Sequence, residues 1–210
     1  MTTKKYIPRP LYFNKIEPYI GTGLIKVLTG QRRVGKSYVL LQIIDEIKKI
    51  DNAAKIIYIN KEDYQFDKLR DYNDLMGYIK NKELNGSNCY LFIDEVQDII
   101  HFEISLRSLL SEGWDIYITG SNASLLSGEL ATYLSGRYIQ INIHSLSYPE
   151  FLKFHGFIDS SESLIKYIRW GGMPNLINLP KEDSIIYEYL RNVLDTIVLR
   201  DIVARFNVRN

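Results

Sequence analysis

Gly30-Gln31-Arg32-Arg33-Val34-Gly35-Lys36-Ser37 places a lysine and a hydroxyl directly after a loop bounded by glycines. The spacing is Gly, four residues, then Gly-Lys-Ser, the pattern of a phosphate-cradling P-loop. Glycines let the backbone wrap closely and turn successive N–H groups toward anionic oxygens. A helix opening near Lys36 adds the positive end of its dipole. Lys36 is then placed to bridge the β- and γ-phosphates, and Ser37 to ligate Mg2+. The expected nucleotide contacts are the eight loop residues and Tyr38 after them. Arg32 and Arg33 either touch phosphate or remain solvated surface charges.

A second stretch supplies acid. Cys89-Tyr90-Leu91-Phe92-Ile93-Asp94-Glu95 is an apolar run ending in two carboxylates, the Walker B arrangement. A strand parallel to the one before the P-loop would deliver Asp94 beside the loop, to hold Mg2+ through its waters. Glu95, one residue on, would polarise an attacking water. The same two acids could instead cap a following helix, but only a shared metal site uses both them and the loop.

Further polar residues close the next run, Thr119-Gly120-Ser121-Asn122. Ligands collect at the carboxyl ends of strands in an open parallel sheet. Asn122, with Ser121 as second choice, is expected to sense the γ-phosphate or hold the lytic water; the other reading is a helix cap. Ser135-Gly136-Arg137 puts an arginine after a helical stretch. It either enters a neighbouring subunit's site to stabilise transition-state charge or answers a helix dipole. Asn60-Lys61-Glu62-Asp63 imitates a guanine-reading motif, but it precedes the acid pair where GTPases place it after, so adenine is favoured.

These residues need elements to hold them. Five β-rich runs are expected as strands: Leu24–Thr29, Lys55–Ile59, Cys89–Ile93, Asp115–Thr119 and Tyr138–Ile143. Helical spacing fills the gaps at Lys36–Lys49, Asp74–Lys82, Phe102–Glu112 and somewhere in Ser124–Ser135. Alternating strands and helices mean a parallel sheet covered by helices. After Ile143 the strand signal stops. Ser147-Tyr148-Pro149-Glu150 is a capping box that opens a helix ending at Gly156. Helices follow at Ser161–Trp170 and from about Asp183 to Phe206. The expected organisation is an α/β domain over 1–145 and a small helical lid over 146–210.

Composition bounds the rest. Hydrophobic content of 46% supports a core, and a net charge of +1 gives no whole-chain case for nucleic acid or an anionic membrane. One cysteine, Cys89, excludes an internal disulfide and a multi-cysteine metal site. His101, His144 and His155 stand far apart and are expected on the surface or in packing. The start lacks an apolar run, so no signal peptide is expected; no run is long enough to span a bilayer, and a reducing cytoplasm is the expected compartment.

Taken in order, Gly-Gln-Arg-Arg-Val-Gly-Lys-Ser, Ile-Asp-Glu-Val-Gln, Thr-Gly-Ser-Asn, Leu-Ser-Gly-Arg and Trp-Gly-Gly-Met-Pro resemble a family of bacterial and archaeal AAA+ ATPases related to the STAND group. The resemblance covers nearly the whole chain. It implies a five-stranded sheet in the order 5-1-4-3-2 with a helical lid, and a further C-terminal domain in typical members. It implies Lys36 and Ser37 for phosphate and Mg2+, Asp94 for the metal and Glu95 for water activation. It also implies Asn122 as sensor, Arg137 as arginine finger in a homo-oligomer, and Pro174 of Gly171-Gly172-Met173-Pro174 as a lid residue approaching the nucleotide. Tyr6-Ile7-Pro8-Arg9 is expected against adenine. The lid lacks an arginine at a clear sensor-2 position. The expected function is Mg2+-dependent ATP hydrolysis driving a conformational change. A slow nucleotide-regulated switch and a helicase-like fragment, the latter from Asp94-Glu95-Val96-Gln97-Asp98, are the alternatives, and a protein or DNA partner is left open.

Overall fold

The computed structural model describes residues 6–82, 88–120, 134 and 136–197. Five strands, β1 (Ile25–Thr29), β2 (Lys55–Asn60), β3 (Cys89–Asp94), β4 (Asp115–Thr119) and β5 (Tyr138–Asn142), form one sheet in the order β2-β3-β4-β1-β5. Read from the other edge this is 5-1-4-3-2, the expected order, and every pairing is parallel. The order explains the composition of each run. The three central strands β3, β4 and β1 are buried at every residue, whereas edge strands β2 and β5 are only partly buried. Strands covered on both faces need continuous apolar sequence.

Helices α1 (Pro10–Ile16), α2 (Lys36–Ile50), α3 (Tyr72–Lys80) and α4 (Phe102–Ser111) accompany the sheet. Helix α1 was not foreseen. It is seven residues long, opens on Pro10 and buries only Tyr12 and Ile16, so it carries little periodic signal. Helix α3 starts earlier than expected because Asp71 caps it, accepting from the backbone N–H groups of Asn73 and Asp74 at 2.8 and 3.1 Å. The helix expected within Ser124–Ser135 falls, except for Leu134, outside the described residues.

A buried ion pair sits among the apolar strands. Lys26 of β1 is fully buried and pairs with Asp115 of β4. Asp115 also accepts from the Tyr117 hydroxyl at 2.8 Å and the Gly21 N–H at 3.1 Å. Burial pushes the Lys26 ammonium's pKa down, and the Asp115 charge pulls it back up. The pair is supported by the further hydrogen bonds to Asp115 and by the Tyr117 ring, whose centroid lies 4.7 Å from the ammonium, and breaking it from one side would leave an unpaired buried charge.

The chain divides into two compact units, Met1–Gln31 with Lys36–Ile143, and Arg32–Gly35 with His144–Asn210. The second contains α5 (Tyr148–His155), α6 (Ser161–Trp170) and α7 (Asp183–Ile197) around Leu146, Phe151, Trp170, Leu176 and Ile186. The capping box closes as expected: Glu150 accepts from the Ser147 N–H at 2.9 Å and from its hydroxyl at 3.0 Å. Gly156 ends α5 in the left-handed region at φ 66°. Gly172 is required for a different reason. Its carbonyl accepts from the Leu146 N–H at 2.7 Å, and a Cβ there would collide with the Leu146 carbonyl.

His155 lies inside this unit against Phe151 and stacked on Phe157, with ring centroids 4.3 and 5.3 Å away. Neither ring nitrogen has a partner among the described residues. Burial, helped by the Lys181 ammonium, pushes its pKa down from 6.5 to about 4. As pH falls from 6.5, the unfolded chain takes up this proton before the folded one. The protein therefore loses stability from this residue as pH falls from 6.5 toward about 4. Unfolding midpoints at pH 7 and 5 should diverge less in His155→Phe than in wild type. Equal divergence would remove His155 as the cause.

Candidate functional site

All five strands point their carboxyl ends to one sheet edge. Register then decides which side chains meet there. Asn60 is level with Asp94, Ile93 with Ile118, and Leu28 with Thr119. The P-loop follows β1 at this edge, with Gly30 at φ 146° and Gly35 at φ 96°, conformations that residues with a Cβ rarely adopt. Helix α2 begins at Lys36 immediately after.

Lys36 is only 5% exposed. Its ammonium donates to the carbonyls of Gly30 and Gln31, each at 3.2 Å, and stands 3.8 Å from Glu95 Oε1. The cation is thus held at the mouth of the loop by acceptors that a phosphate oxygen, bearing full charge, would outcompete.

Asp94 is the meeting point of the site. It is 1% exposed and accepts hydrogen bonds from the hydroxyls of Ser37 and Thr119. Tyr58, on β2 two residues before Asn60, also bonds to it, and burial chiefly raises that phenol's pKa. Burial pushes the Asp94 pKa up, the Ser37 and Thr119 hydroxyls pull it down, and the charges of Glu95 and Glu62 push it up. Ser37 and Asp94 are hard oxygen donors sharing one hydrogen bond, so the pair fits Mg2+. Among the described residues no cluster of three His, Cys, Asp or Glu could form a cage. An ion here would therefore depend on phosphate and water for most of its shell.

Glu95 leaves β3 in a left-handed conformation, φ 58° and ψ 55°, unusual for a residue with a side chain. Its N–H donates to Thr119 Oγ1 at 2.9 Å. Its Oε2 accepts from Gln97 Nε2 at 2.6 Å, so its two oxygens face Gln97 and Lys36 respectively.

The remaining expected residues are placed as follows. Val34 is buried, and Arg33 is exposed with a positive φ of 66°. Within the second unit the Arg33 guanidinium lies 6.0 Å from the Tyr189 ring centroid, and a Cβ at Gly35 would stand 3.8 Å from Pro174 Cγ. Gln31 is exposed and Arg32 half-buried. Tyr38 is 47% exposed on α2. Tyr6 donates to Asp45 at 2.7 Å and the Arg9 N–H to Gln42 at 2.8 Å, which ties the N-terminal segment to α2. Ser121 and Asn122 lie outside the described residues. Arg137 is exposed, and its carbonyl accepts from Ile25 at the start of β1, so it stands at the opposite sheet edge from the P-loop of its own chain. Asn60 to Asp63 form a turn closed by the Asp63 N–H to the Asn60 carbonyl at 2.9 Å. The sequence reading missed Thr119, Tyr58 and Gln97; strand-end position pointed to the first, but only register reveals the second.

A family model described as an AAA domain matches residues 22–152, more than half of the chain. The chain belongs to the AAA domain family. This AAA domain is similar to an uncharacterized protein of Haemophilus influenzae, 36% identical over 218 residues, covering 99% of this chain and 53% of the relative. An uncharacterized protein of Methanocaldococcus jannaschii is 39% identical over 203 residues, covering 89% of this chain and 43% of the relative. The AAA domain described here thus spans about half the length of the curated relatives it matches. Among solved structures it resembles AMPPCP-bound DnaA from Aquifex aeolicus at TM-score 0.53 and 14% identity, covering 96% of this chain and 66% of that one. Domain III of Thermotoga maritima DnaA follows at TM-score 0.52 and 14% identity, covering 93% and 92%. The Saccharomyces cerevisiae Hsp104–ADP complex gives 0.52 and 16%, covering 96% and 33%. At these identities the likeness shows the fold alone. The family and fold make the chain a nucleotide-binding AAA+ P-loop module. No helix among the described residues is long and apolar enough to cross a membrane.

Proposed function

We propose that this AAA domain binds ATP with Mg2+ and hydrolyses it to drive a conformational change. The observation that carries the reading is the Ser37–Asp94 hydrogen bond, with Lys36 and Glu95 3.8 Å apart beside it. One phosphate–magnesium group would engage all four residues.

Lys36 exchanges its carbonyl partners for phosphate oxygens, and the loop N–H groups and the α2 dipole neutralise the rest of the charge. Ser37 and Asp94 would hold Mg2+, which when bound neutralises charge on the phosphates. Glu95 accepts a proton from water as the water oxygen bonds to the γ-phosphorus and the bond to ADP breaks. Thr119 keeps Asp94 and Glu95 in place by bonding to both.

Arg137, which cannot reach its own P-loop from the far sheet edge, is assigned to the site of a neighbouring copy. Asn122 keeps its assigned role as γ-phosphate sensor and Pro174 its assigned contact with the nucleotide. The buried thiol of Cys89 fits a reducing cytoplasm. The test is steady-state phosphate release from ATP, with Mg2+ and with chelator, for wild type beside Glu95→Gln. Mg2+-dependent release in wild type is expected; none above background in any condition would end the hydrolytic reading.

A further inference from the structure

Gln97 touches the proposed base. Its Nε2 donates to Glu95 Oε2 at 2.6 Å, and its Oε1 is buried with no partner among the described residues. The orientation of this amide is set by chemistry: only the NH2 end can face a carboxylate. The contact spans a backbone turn that does not need it. The 3-10 turn Val96–Asp98 is closed by the Asp98 N–H to the Glu95 carbonyl at 3.2 Å and the Ile99 N–H to the Val96 carbonyl at 3.1 Å. Val96 and Ile99, 0% and 1% exposed, anchor it in the core.

A side chain spent on the Glu95 carboxylate is therefore available for function rather than for holding the turn. Glu95 needs such support. Its backbone is in the left-handed region and its other oxygen faces Lys36. Once Lys36 turns to phosphate, Gln97 is the side-chain contact among the described residues that still fixes the carboxylate's direction.

We infer that Gln97 is a positioning residue: its amide N–H aims the Glu95 carboxylate at the lytic water. The proton abstracted goes to Glu95, the water oxygen bonds to phosphorus, and Gln97 changes neither charge nor protonation. The inference rests on the reading of Glu95 as base.

The experiment uses the full chain and compares Gln97→Met, which keeps length and loses both polar atoms, with Gln97→Glu, which sets a carboxylate against Glu95. Readouts are kcat, KM, affinity for Mg2+-AMP-PNP and thermal midpoint. Gln97→Met should lower kcat about tenfold, a fraction of the total contribution of a general base, and leave KM and analogue affinity within about threefold. Combined with Glu95→Gln it should cost nothing further, because the base it aims is gone. Gln97→Glu should lower kcat at least as much and carries the test if the Met variant is unfolded. A kcat within about twofold of wild type for a folded variant, a full additive loss on top of Glu95→Gln, or an equal loss of analogue affinity would each overturn the inference. Wild-type turnover in Glu95→Gln would overturn the assignment of the base as well. A silent Gln97→Met beside an inactive Glu95→Gln would overturn the role of Gln97 alone.

Discussion

Glu95→Gln is expected to hydrolyse ATP on the order of a hundredfold more slowly than wild type while binding it no less tightly. The substitution keeps shape, and the backbone N–H that anchors the residue to Thr119 is untouched. What it removes is a proton acceptor and a negative charge. The lost charge stands 3.8 Å from Lys36 and raises the pKa of Asp94, so its removal lessens repulsion of the triphosphate. Affinity for a non-hydrolysable analogue should therefore stay level or tighten while phosphate release collapses. Loss of affinity in parallel with turnover would instead make Glu95 a structural support of the loop.

Lys36→Met should abolish what the loop is for. Lys36 is 5% exposed and its ammonium is held by two carbonyls at 3.2 Å, which on the proposed reading is where phosphate would lie. A charge-assisted contact of this kind contributes about 2–3 kcal/mol, which predicts on the order of a hundredfold weaker ATP binding. Thermal unfolding with saturating ATP reads this directly, since a ligand that binds the folded state raises the midpoint with its concentration. Wild type should show the rise and Lys36→Met should lose it at the same ATP concentration. A rise of equal size in the variant would place the phosphates elsewhere.

How far the sequence reached depends on the kind of signal. The central strands were legible because burial on both faces leaves an unbroken apolar run, as in Cys89 to Ile93. Their order came from the motif resemblance, because apolarity says nothing about neighbours. Lys36, Ser37, Asp94 and Glu95 were legible as a set because their spacing follows from the phosphate chemistry itself. The structure brings Ser37 into a hydrogen bond with Asp94. Thr119 and Tyr58 were not legible as partners of Asp94, because each reaches it across a strand pairing rather than along the chain.

Other misses have local causes. The left-handed turn at Glu95 has no glycine to announce it. Nothing in the sequence marks Lys26 as paired; only the pairing of β1 with β4 brings Asp115 near enough to bury both. His155 had been expected on the surface or in packing; the aromatic residues around it decide for packing, and so set its low pKa. Helix α1 is too short for its period to register, leaving only Pro10 as a signal.

The central claim is that the P-loop hydroxyl and the strand-end carboxylate hold one ion against one nucleotide. Binding of AMP-PNP measured with Mg2+ and with EDTA tests it through linkage, since an ion and a nucleotide that share a site must tighten each other. Wild type should bind at least about tenfold more tightly with Mg2+, a coupling of roughly 1.4 kcal/mol, and both Asp94→Asn and Ser37→Ala should lose most of that gain. An undiminished Mg2+ effect in Asp94→Asn would contradict the account.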